Sequence, residues 1–335
     1  MSVSVIVGGQ FGSEAKGKVS LHLARTAPGR SLVFRPGGTN SGHIGTDAAG
    51  RQVAFRQLPA AILEERTRAA LPAGAIIDVE LLLEEIARAG LPRDRSRLVI
   101  HPWATLILPE HKAAEAGLVS RIGSTGSGTG KALESRLLGA LTGAPTPLAQ
   151  DDPRLAPWLG DTMDALDAAR EAGDQIIIEG TQGSGLSLYS GNWPKVTSRD
   201  TNAATFVAES GVGLRDVSRI FVVCRAHPIR VAGPSGDLPG EIDWTEISKT
   251  AGRPVEERTT VTQKVRRVAQ FDPEVVRRAI MINHPTDMVL NHLDYIDGCE
   301  EITPAKIAYV EKIEAMIDRR IDWLGTSPTG IVPRP

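Results

Sequence analysis

The chain has 335 residues and a formal net charge of −2, so it carries no overall basic field that would hold nucleic acid or anionic lipid. Aromatic residues make up only 4% and cysteines number two, which argues against a base-stacking surface, a disulfide framework and a cysteine-rich zinc site. No apolar run reaches membrane-helix length, and the N-terminal residues lack the features of a signal sequence. We therefore expect a globular cytoplasmic protein, one domain over residues 1–335, with no nucleic-acid or membrane partner.

Short apolar segments alternate with helical patterns along the whole chain. Continuous apolar runs typical of strands buried on both faces occupy residues 3–7, 31–35, 97–101, 175–179, 219–224 and 288–292. Helices are predicted at 78–89, 161–172 and 304–324, the first with Asp78 as its N-terminal cap. This alternation predicts an α/β fold, with a mainly parallel central sheet covered by helices. Nucleotide-binding loops are then expected at the carboxyl ends of the strands.

The loop after the first predicted strand carries the strongest motif. Residues 12–18 match the Gly-x4-Gly-Lys phosphate loop, and they lie between a strand and an amphipathic helix, as this motif requires. Glycines let backbone N–H groups approach phosphate oxygens, and lysine adds a positive charge. Val19 departs from the motif, because a phosphate loop has a Ser or Thr there that holds magnesium. The alternative is a purely structural glycine turn, which the two lysines, Lys16 and Lys18, make less attractive.

Other predicted strand ends and loops are also rich in small residues. Residues 35–43 end in His43, which is either an ordinary loop histidine or, beside the first loop, a group for proton transfer. Residues 122–131 alternate glycine with hydroxyl side chains, a composition that fits an anion-binding nest or a flexible surface loop equally well. Residues 179–185 follow an Ile-Ile-Ile strand and place Gln182 where it could contact a base or a sugar.

Taken together, these loops resemble the adenylosuccinate synthetase family. The matching segments lie at 8–18, 37–43, 123–128, 179–183, 189–197, 260–262, 266–267 and 291–294. They follow the family's order over roughly residues 3–328. The resemblance implies a two-step ligation on a purine nucleotide. A nucleoside triphosphate first phosphorylates the 6-oxygen of the base, and the amino group of L-aspartate then displaces that phosphate.

The resemblance also implies roles for individual residues. The two nucleotides would be bound by Gly12, Glu14, Ala15, Lys16, Gly17, Asn40, Ser124, Thr125, Arg136, Gln182, Thr197 and Asp294. L-Aspartate would be bound by Thr260, Val261, Thr262 and Arg266. His43 would act as general acid at the 6-oxygen, and Lys18 would hold the transferring phosphate. Mg²⁺ would be bound at Ser13 and at the carbonyl of Gly42. Arg136 would reach the 5′-phosphate from a dimer mate, which implies a homodimer.

Three positions depart from the family pattern. Ser13 replaces a catalytic Asp, His292 replaces the lysine of a Lys-x-Asp guanine reader, and residues 263–267 differ from the family's arginine run. Ser13 beside Glu14 and Lys18 resembles the family's phage branch, which acts on dGMP and yields 2-amino-2′-deoxyadenylosuccinate. A short hydroxyl leaves room for the 2-amino group of guanine and accepts its hydrogen bond. The same hydroxyl is a poor base at neutral pH.

From the resemblance we expect a magnesium-dependent C–N ligase that joins L-aspartate to dGMP for 2-aminoadenine nucleotide synthesis, in the host cytoplasm if the protein is phage-encoded. ATP or dATP is the expected donor, because the guanine reader lacks its lysine. The alternatives are an ordinary synthetase acting on IMP, a phosphate-loop nucleotide switch, and a catalytically inactive binding protein. A switch needs no site for an amino acid, so aspartate-dependent phosphate release distinguishes it from a ligase.

Overall fold

The computed structural model describes residues 2–259 and 263–335, and at Ser120 and Ile122 the backbone only. The strands are β1 (Val3–Gly8), β2 (Ser31–Phe34), β3 (His43–Thr46), β4 (Gln52–Phe55), β5 (Thr67–Leu71), β6 (Ile76–Ile77), β7 (Leu98–Ile100), β8 (Thr105–Leu106), β9 (Gln175–Glu179), β10 (Val217–Arg225), β11 (Ile229–Arg230), β12 (Glu241–Ile242), β13 (Arg267–Ala269), β14 (Asp287–Asn291), β15 (Trp323–Leu324) and β16 (Val332–Pro333). The α-helices are α1 (Lys16–Thr26), α2 (Val79–Arg88), α3 (Pro109–Ile122), α4 (Thr129–Thr142), α5 (Thr162–Glu171), α6 (Ala203–Ser210), α7 (Trp244–Thr250), α8 (Pro273–Asn283), α9 (Asp294–Asp297) and α10 (Pro304–Ile317).

The central sheet is mainly parallel, which confirms the predicted fold class. Within the described residues it has nine strands in the order β16-β15-β14-β10-β1-β9-β2-β5-β7. Every neighbouring pair is parallel except β15 and β16. All six segments predicted as strands lie in this sheet, as β1, β2, β7, β9, β10 and β14. Because β1 lies at the centre, its carboxyl end is flanked by the loops after β9 and β2 on one side and after β10 and β14 on the other.

Both faces of the sheet are buried, which explains the continuous apolar runs. One face packs against α1, where Ile6 of β1 and Ile177 of β9 contact the cluster around Val19 and Leu23. The opposite face packs against α5, α6, α8 and α10, and residues that alternate with the first set along the strands, such as Val5, point toward those helices. The sheet is therefore a rigid platform whose loops carry the polar residues.

The predicted helix bounds are confirmed for α2 and α5 and are wrong for α10. Asp161 caps α5, because its side chain accepts from the N–H of Met163 at 2.8 Å. Asp78 precedes α2, but its carboxylate makes no capping bond and instead pairs with Lys112 at 2.5 Å. The last helix was predicted to reach residue 324, which is wrong, since α10 ends at Ile317. Asp318 follows in the left-handed conformation at φ 50°, and residues 323–324 then join the sheet as β15.

Smaller strand pairs surround the carboxyl edge of the sheet. β3 and β4 form a hairpin after β2, and it brings His43 back toward the end of β9. β11, β13 and β12 pair antiparallel beside the end of β10. In the part of the chain that the structure describes, none of the helices has the length and apolar character needed to cross a membrane.

Candidate active site

The backbone conformation of the loop between β1 and α1 is stabilised by an ion pair within the loop, between Glu14 and Lys16. Gly12, Ser13 and Ala15 have positive φ angles of 94°, 58° and 67°. This conformation is costly for residues with a Cβ. The buried carboxylate of Glu14 stabilises it by accepting from the N–H of Gly12 at 2.7 Å and from Nζ of Lys16 at 2.8 Å. Glu14 is therefore engaged in shaping the loop.

Ser13 is held from the neighbouring strand by a buried arginine. The guanidinium of Arg225, at the end of β10, donates to the carbonyl of Ser13 at 3.1 Å and also pairs with Glu257. The hydroxyl of Tyr295 donates to Glu257 at 2.9 Å. Although burial alone would raise it, the charge of Arg225 lowers the pKa of Glu257 to about 2. Both charges therefore persist at neutral pH and fix the backbone of Ser13.

His43 is oriented by a carboxylate at the end of β9. Its Nδ1 lies 2.6 Å from Oε1 of Glu179, and its Nε2 lies 3.2 Å from the hydroxyl of Ser41. The N–H of Ala60 also donates to Glu179, at 3.1 Å, and Arg35 lies 3.7 Å away. Burial and the charge of Arg35 lower the pKa of His43 to about 4. The ring is thus neutral at pH 7 with Nδ1–H bound to Glu179, which leaves Nε2 for proton transfer.

A cavity of about 440 Å³ opens between these loops. The predicted site residues that line it are Gly12, Ser13, Asn40, Gly42, Ser124, Thr125, Gln182, Thr197 and Arg266. Three of them are hydrogen-bonded in a row, because Gln182 donates to the carbonyl of Asn40 at 3.1 Å and Asn40 donates to the hydroxyl of Thr197 at 3.2 Å. Residues from the loops after β1, β2 and β9 therefore meet at one cavity, as the sequence analysis expects.

The cavity has a strong excess of positive charge. Its cationic side chains are Arg56, Lys195, Arg230, Lys264 and Arg266. None of them is within ion-pair distance of a carboxylate in the described residues, whereas most other arginines of the chain are paired. Arg230 is 3% exposed, and two of its guanidinium nitrogens have no hydrogen-bond partner among the described residues. Unpaired cations of this kind favour a ligand with several negative charges.

The third glycine-rich loop already binds a carboxylate of the protein itself. Glu115 of α3 accepts from the N–H groups of Gly128, Gly130 and Lys131, at 2.7, 2.7 and 3.1 Å. The amides at the start of α4 do form an anion-binding nest, but Glu115 fills it. The hydroxyl-bearing residues 124–125, ahead of the nest, line the cavity instead.

Lys18, predicted to hold the transferring phosphate, and Asp294, predicted to bind a nucleotide, lie on the other side of β1 from the cavity. Nζ of Lys18 donates to the carbonyl of Ser327 at 2.8 Å, and burial lowers the pKa of Lys18 to about 8 against the opposing charge of Asp294. The carboxylate of Asp294 pairs with Arg253 at 2.6 Å. His292 is close by, with its backbone at φ 61° and its Nδ1 unpartnered among the described residues. Lys18, His292 and Asp294 therefore form a group apart from the residues that line the cavity.

Comparison with known proteins decides the family. The model of the adenylosuccinate synthetase family matches residues 5–139 and 146–306. The chain belongs to the adenylosuccinate synthetase family. It is 34% identical over 339 residues to the adenylosuccinate synthetase of Methanococcus vannielii, covering 98% of this chain and 97% of that protein. It is also 34% identical over 344 residues to the N6-succino-2-amino-2′-deoxyadenylate synthase of Vibrio phage phiVC8, covering 98% and 96%.

Solved structures agree with this membership. The cyanophage S-2L succinoaminodeoxyadenylate synthetase, bound to dGMP and to dATP as an energy donor, superimposes with a TM-score of 0.83 at 28% identity, covering 100% of this chain and 95% of that one. The fully ligated adenylosuccinate synthetase of Plasmodium falciparum has the same fold, with a TM-score of 0.84 at 18% identity and full coverage of both chains. Membership in a family of C–N ligases leaves the phosphate-loop switch without support.

Three residues that shape the site had no predicted role. One of them, Glu179, lies inside a segment that matches the family, and the other two lie outside all such segments. Glu179 begins the fourth signature, yet only its contact with His43 reveals what it does. Arg225 and Glu257 belong to none of the quoted segments. The signal that could have found Arg225 is a charged residue directly after the apolar run at 219–224. Thr260, Val261 and Thr262, predicted to bind aspartate, lie outside the described residues.

Arg136 lies away from the cavity of its own chain. It is on α4, where its guanidinium donates to the carbonyl of Trp103 at 2.5 Å and to the hydroxyl of Thr105 at 2.8 Å. Around it the surface is apolar: Trp103, Leu137, Leu138 and Leu141 are 50–82% exposed. Arg136 is therefore not part of the cavity of its own chain.

Proposed function

We propose that the protein joins L-aspartate to dGMP, with cleavage of ATP or dATP, to give 2-amino-2′-deoxyadenylosuccinate for 2-aminoadenine nucleotide synthesis in the cytoplasm. The observation that carries the proposal is Ser13, which lines the cavity at the position where the family has an aspartate. Arg225 fixes the backbone of Ser13, so the short side chain leaves its space to the ligand. The 2-amino group of guanine needs such a space and an oxygen that accepts its hydrogen bond.

The charge of the cavity supports two anionic substrates. A nucleoside monophosphate brings a phosphate, and L-aspartate brings two carboxylates, which together match the unpaired cations described above. Arg266 is suited to a carboxylate because its planar guanidinium donates two parallel hydrogen bonds. We assign it, with residues 260–262, to L-aspartate. We assign Asn40, Gln182, Thr197 and residues 124–125 to dGMP.

The reaction needs a proton at the 6-oxygen of the base when phosphate leaves. In our proposal His43 supplies it from Nε2, while Glu179 holds Nδ1 and stabilises the positive charge that the ring carries before it donates. Lys18 and the backbone amides of residues 12–17 hold the transferring phosphoryl group. In the first step the 6-oxygen bonds to the γ-phosphorus of the donor while the bond from that phosphorus to the leaving nucleoside diphosphate breaks and ring nitrogen 1 loses its proton. In the second step the amino nitrogen of L-aspartate bonds to ring carbon 6 and loses a proton, while the bond from carbon 6 to the 6-oxygen breaks, so this oxygen leaves as part of inorganic phosphate.

Magnesium fits this site as an ion shared with the nucleotides. The described residues contain no cluster of three or more His, Cys, Asp or Glu side chains that could hold a metal, and the carboxylate of Glu14 is engaged. Ser13 and the carbonyl of Gly42 offer neutral oxygens at the cavity wall. Mg²⁺ is commonly bound by few protein ligands together with phosphates and water. It would neutralise phosphate charge during transfer.

The apolar surface around Arg136 supports a homodimer. Exposed leucines and a tryptophan in one patch are typical of a protein interface. We propose that α4 packs against the partner subunit and that Arg136 reaches the 5′-phosphate of the nucleotide bound there. Each active site would then be completed by the other chain.

An ordinary synthetase acting on IMP is the second candidate. It is favoured by the archaeal relative, since its identity of 34% equals that of the phage enzyme. A product assay decides between them: purified protein is given IMP, GMP, dGMP or dAMP with L-aspartate and either ATP or GTP. We expect aspartate-dependent phosphate release and a succinylated product with dGMP well ahead of IMP. Preference for IMP would establish the second candidate, and phosphate release that does not need L-aspartate would contradict both.

A further inference from the structure

The residues predicted to bind the two nucleotides lie on opposite sides of β1. The loops after β9 and β2 carry Gln182 and Asn40, which line the cavity. Lys18 points the other way, to the carbonyl of Ser327 and toward Asp294 after β14. Asp294, which the resemblance makes part of the reader of the donor base, therefore lies on the β14 side of the loop between β1 and α1.

The carboxylate of Asp294 is not free on that side. Oδ2 lies 2.6 Å from the guanidinium of Arg253, which follows α7. The guanidinium carbon also lies 6.0 Å from the centre of the Tyr295 ring, which helps to define its position. The side chains of Arg253 and Asp294 are 47% and 19% exposed, so a ligand can reach the pair. An ion pair this exposed adds only about 0–1 kcal/mol to stability, so stability does not explain it.

The pair presents one acceptor and one donor side by side. Guanine offers two neighbouring donors, its ring N–H and its 2-amino group, and these need both oxygens of a carboxylate. Arg253 already donates to Oδ2, one of these two oxygens. Adenine instead offers its 6-amino group as a donor next to a ring nitrogen that accepts. Oδ1 of Asp294 can accept a hydrogen bond from the 6-amino group, and an N–H of Arg253 can donate one to the ring nitrogen.

We propose that Arg253 selects the phosphate donor, because its pairing with Asp294 turns a carboxylate suited to guanine into an acceptor–donor edge suited to adenine. The inference rests on the proposed function, together with the role as reader of the donor base that the family resemblance implies for Asp294. It adds a residue that lies outside every segment of the family resemblance, and it gives a physical cause for a preference for ATP or dATP.

The test is the donor preference of Arg253→Met, which keeps the length of the side chain and removes its hydrogen bonds and charge. We expect the ratio of kcat/KM for ATP to kcat/KM for GTP to fall by roughly 10–200-fold, the effect of losing one specific contact. KM for L-aspartate stays as in the wild type. Arg277→Met is the matched control, since Arg277 forms an exposed pair with Glu274 at 2.5 Å on α8, and there the ratio stays unchanged.

Competition of ATP and GTP against a fluorescent ATP analogue measures the same preference without ligation. An unchanged ratio in Arg253→Met would overturn the inference. So would an equal loss for both donors, since that identifies Arg253 as a support for the loop rather than a selector. If the wild type ligates no purine nucleotide to L-aspartate with any donor, the proposed function fails, while the competition ratio still judges Arg253.

Discussion

The ring of His43 and the carboxylate of Glu179 are joined at 2.6 Å, between Nδ1 and Oε1, and both side chains are almost completely buried. Because the carboxylate accepts from Nδ1, it fixes the ring so that Nε2 is the nitrogen directed to Ser41 at the cavity wall. In the proposed mechanism it also stabilises the imidazolium that has to form before His43 can donate. The role proposed for Glu179 is therefore that of a positioning residue, which acts on the reaction through His43.

Glu179→Gln is expected to lower kcat by about 10²–10⁴-fold, close to the loss in His43→Asn, because the amide neither fixes the ring tautomer nor stabilises its charge. KM for dGMP stays within a few-fold, since Glu179 does not line the cavity. The double variant is no slower than His43→Asn alone, because the two residues act as a unit. Steady-state kinetics checks this, and full turnover in Glu179→Gln would contradict it.

Ser13→Asp is expected to reverse the purine preference. The larger charged side chain crowds the 2-amino group of dGMP, while it restores the family's base for IMP. We expect kcat/KM for dGMP relative to IMP to fall by roughly 10–200-fold. Competition between the two nucleotides in one reaction, with the products separated by chromatography, measures the ratio directly. A variant that keeps the wild-type ratio would show that Ser13 is not the selector.

Arg136→Ala is expected to raise KM for dGMP by at least about tenfold, because it removes a charge-assisted bond to the 5′-phosphate. If Arg136 acts across the dimer, mixing Arg136→Ala with His43→Asn regenerates sites in which both residues are native. Measured at dGMP well below KM, activity then returns to about a quarter of the wild-type value after random exchange of subunits. Sedimentation checks the dimer, and a mixture no more active than the mean of its two components would place Arg136 outside the partner's site.

Acid stability should depend on Glu257. Its pKa is held at about 2 in the folded protein by Arg225, although burial opposes this, and it is about 4.3 in an unfolded chain. A folded pKa below the unfolded one stabilises the protein above about pH 4, and this contribution disappears as the pH falls from about 4 to 2. We expect Glu257→Gln to be less stable than the wild type at pH 7 and to converge with it near pH 2. Urea unfolding at several pH values measures the difference, and a difference independent of pH would contradict the assignment.

The strands were predictable wherever both faces of the sheet are covered, since such segments are apolar throughout. β5 was missed because its sequence, Thr-Arg-Ala-Ala-Leu, has little β-branched or aromatic content, and only its place between β2 and β7 makes it a strand. The end of α10 was misjudged because Ile321 continues the apolar stripe. Its burial at 1% exposure comes from packing after the helix has ended.

The candidate site was predictable as far as its loops carry local motifs. Residues that act through distant partners were not, because such pairs depend on how the sheet brings separate loops together. Arg225 meets Glu257 across 32 residues, and Arg253 meets Asp294 across 41. Glu115 shows a third kind of case, since its helix position gives no sign that it fills the amide nest of the following helix.

The central position of β1 in the sheet affects how the two purine preferences of such an enzyme can evolve. The residues proposed to read the acceptor base follow β1, β2 and β9, whereas those proposed to read the donor base follow α7 and β14. Substitutions at distant sites without shared partners have nearly additive effects. The preference for the acceptor purine and the preference for the donor purine can therefore each evolve by separate mutations. The loop between β1 and α1, which is proposed to hold the phosphoryl group, can stay unchanged while they do.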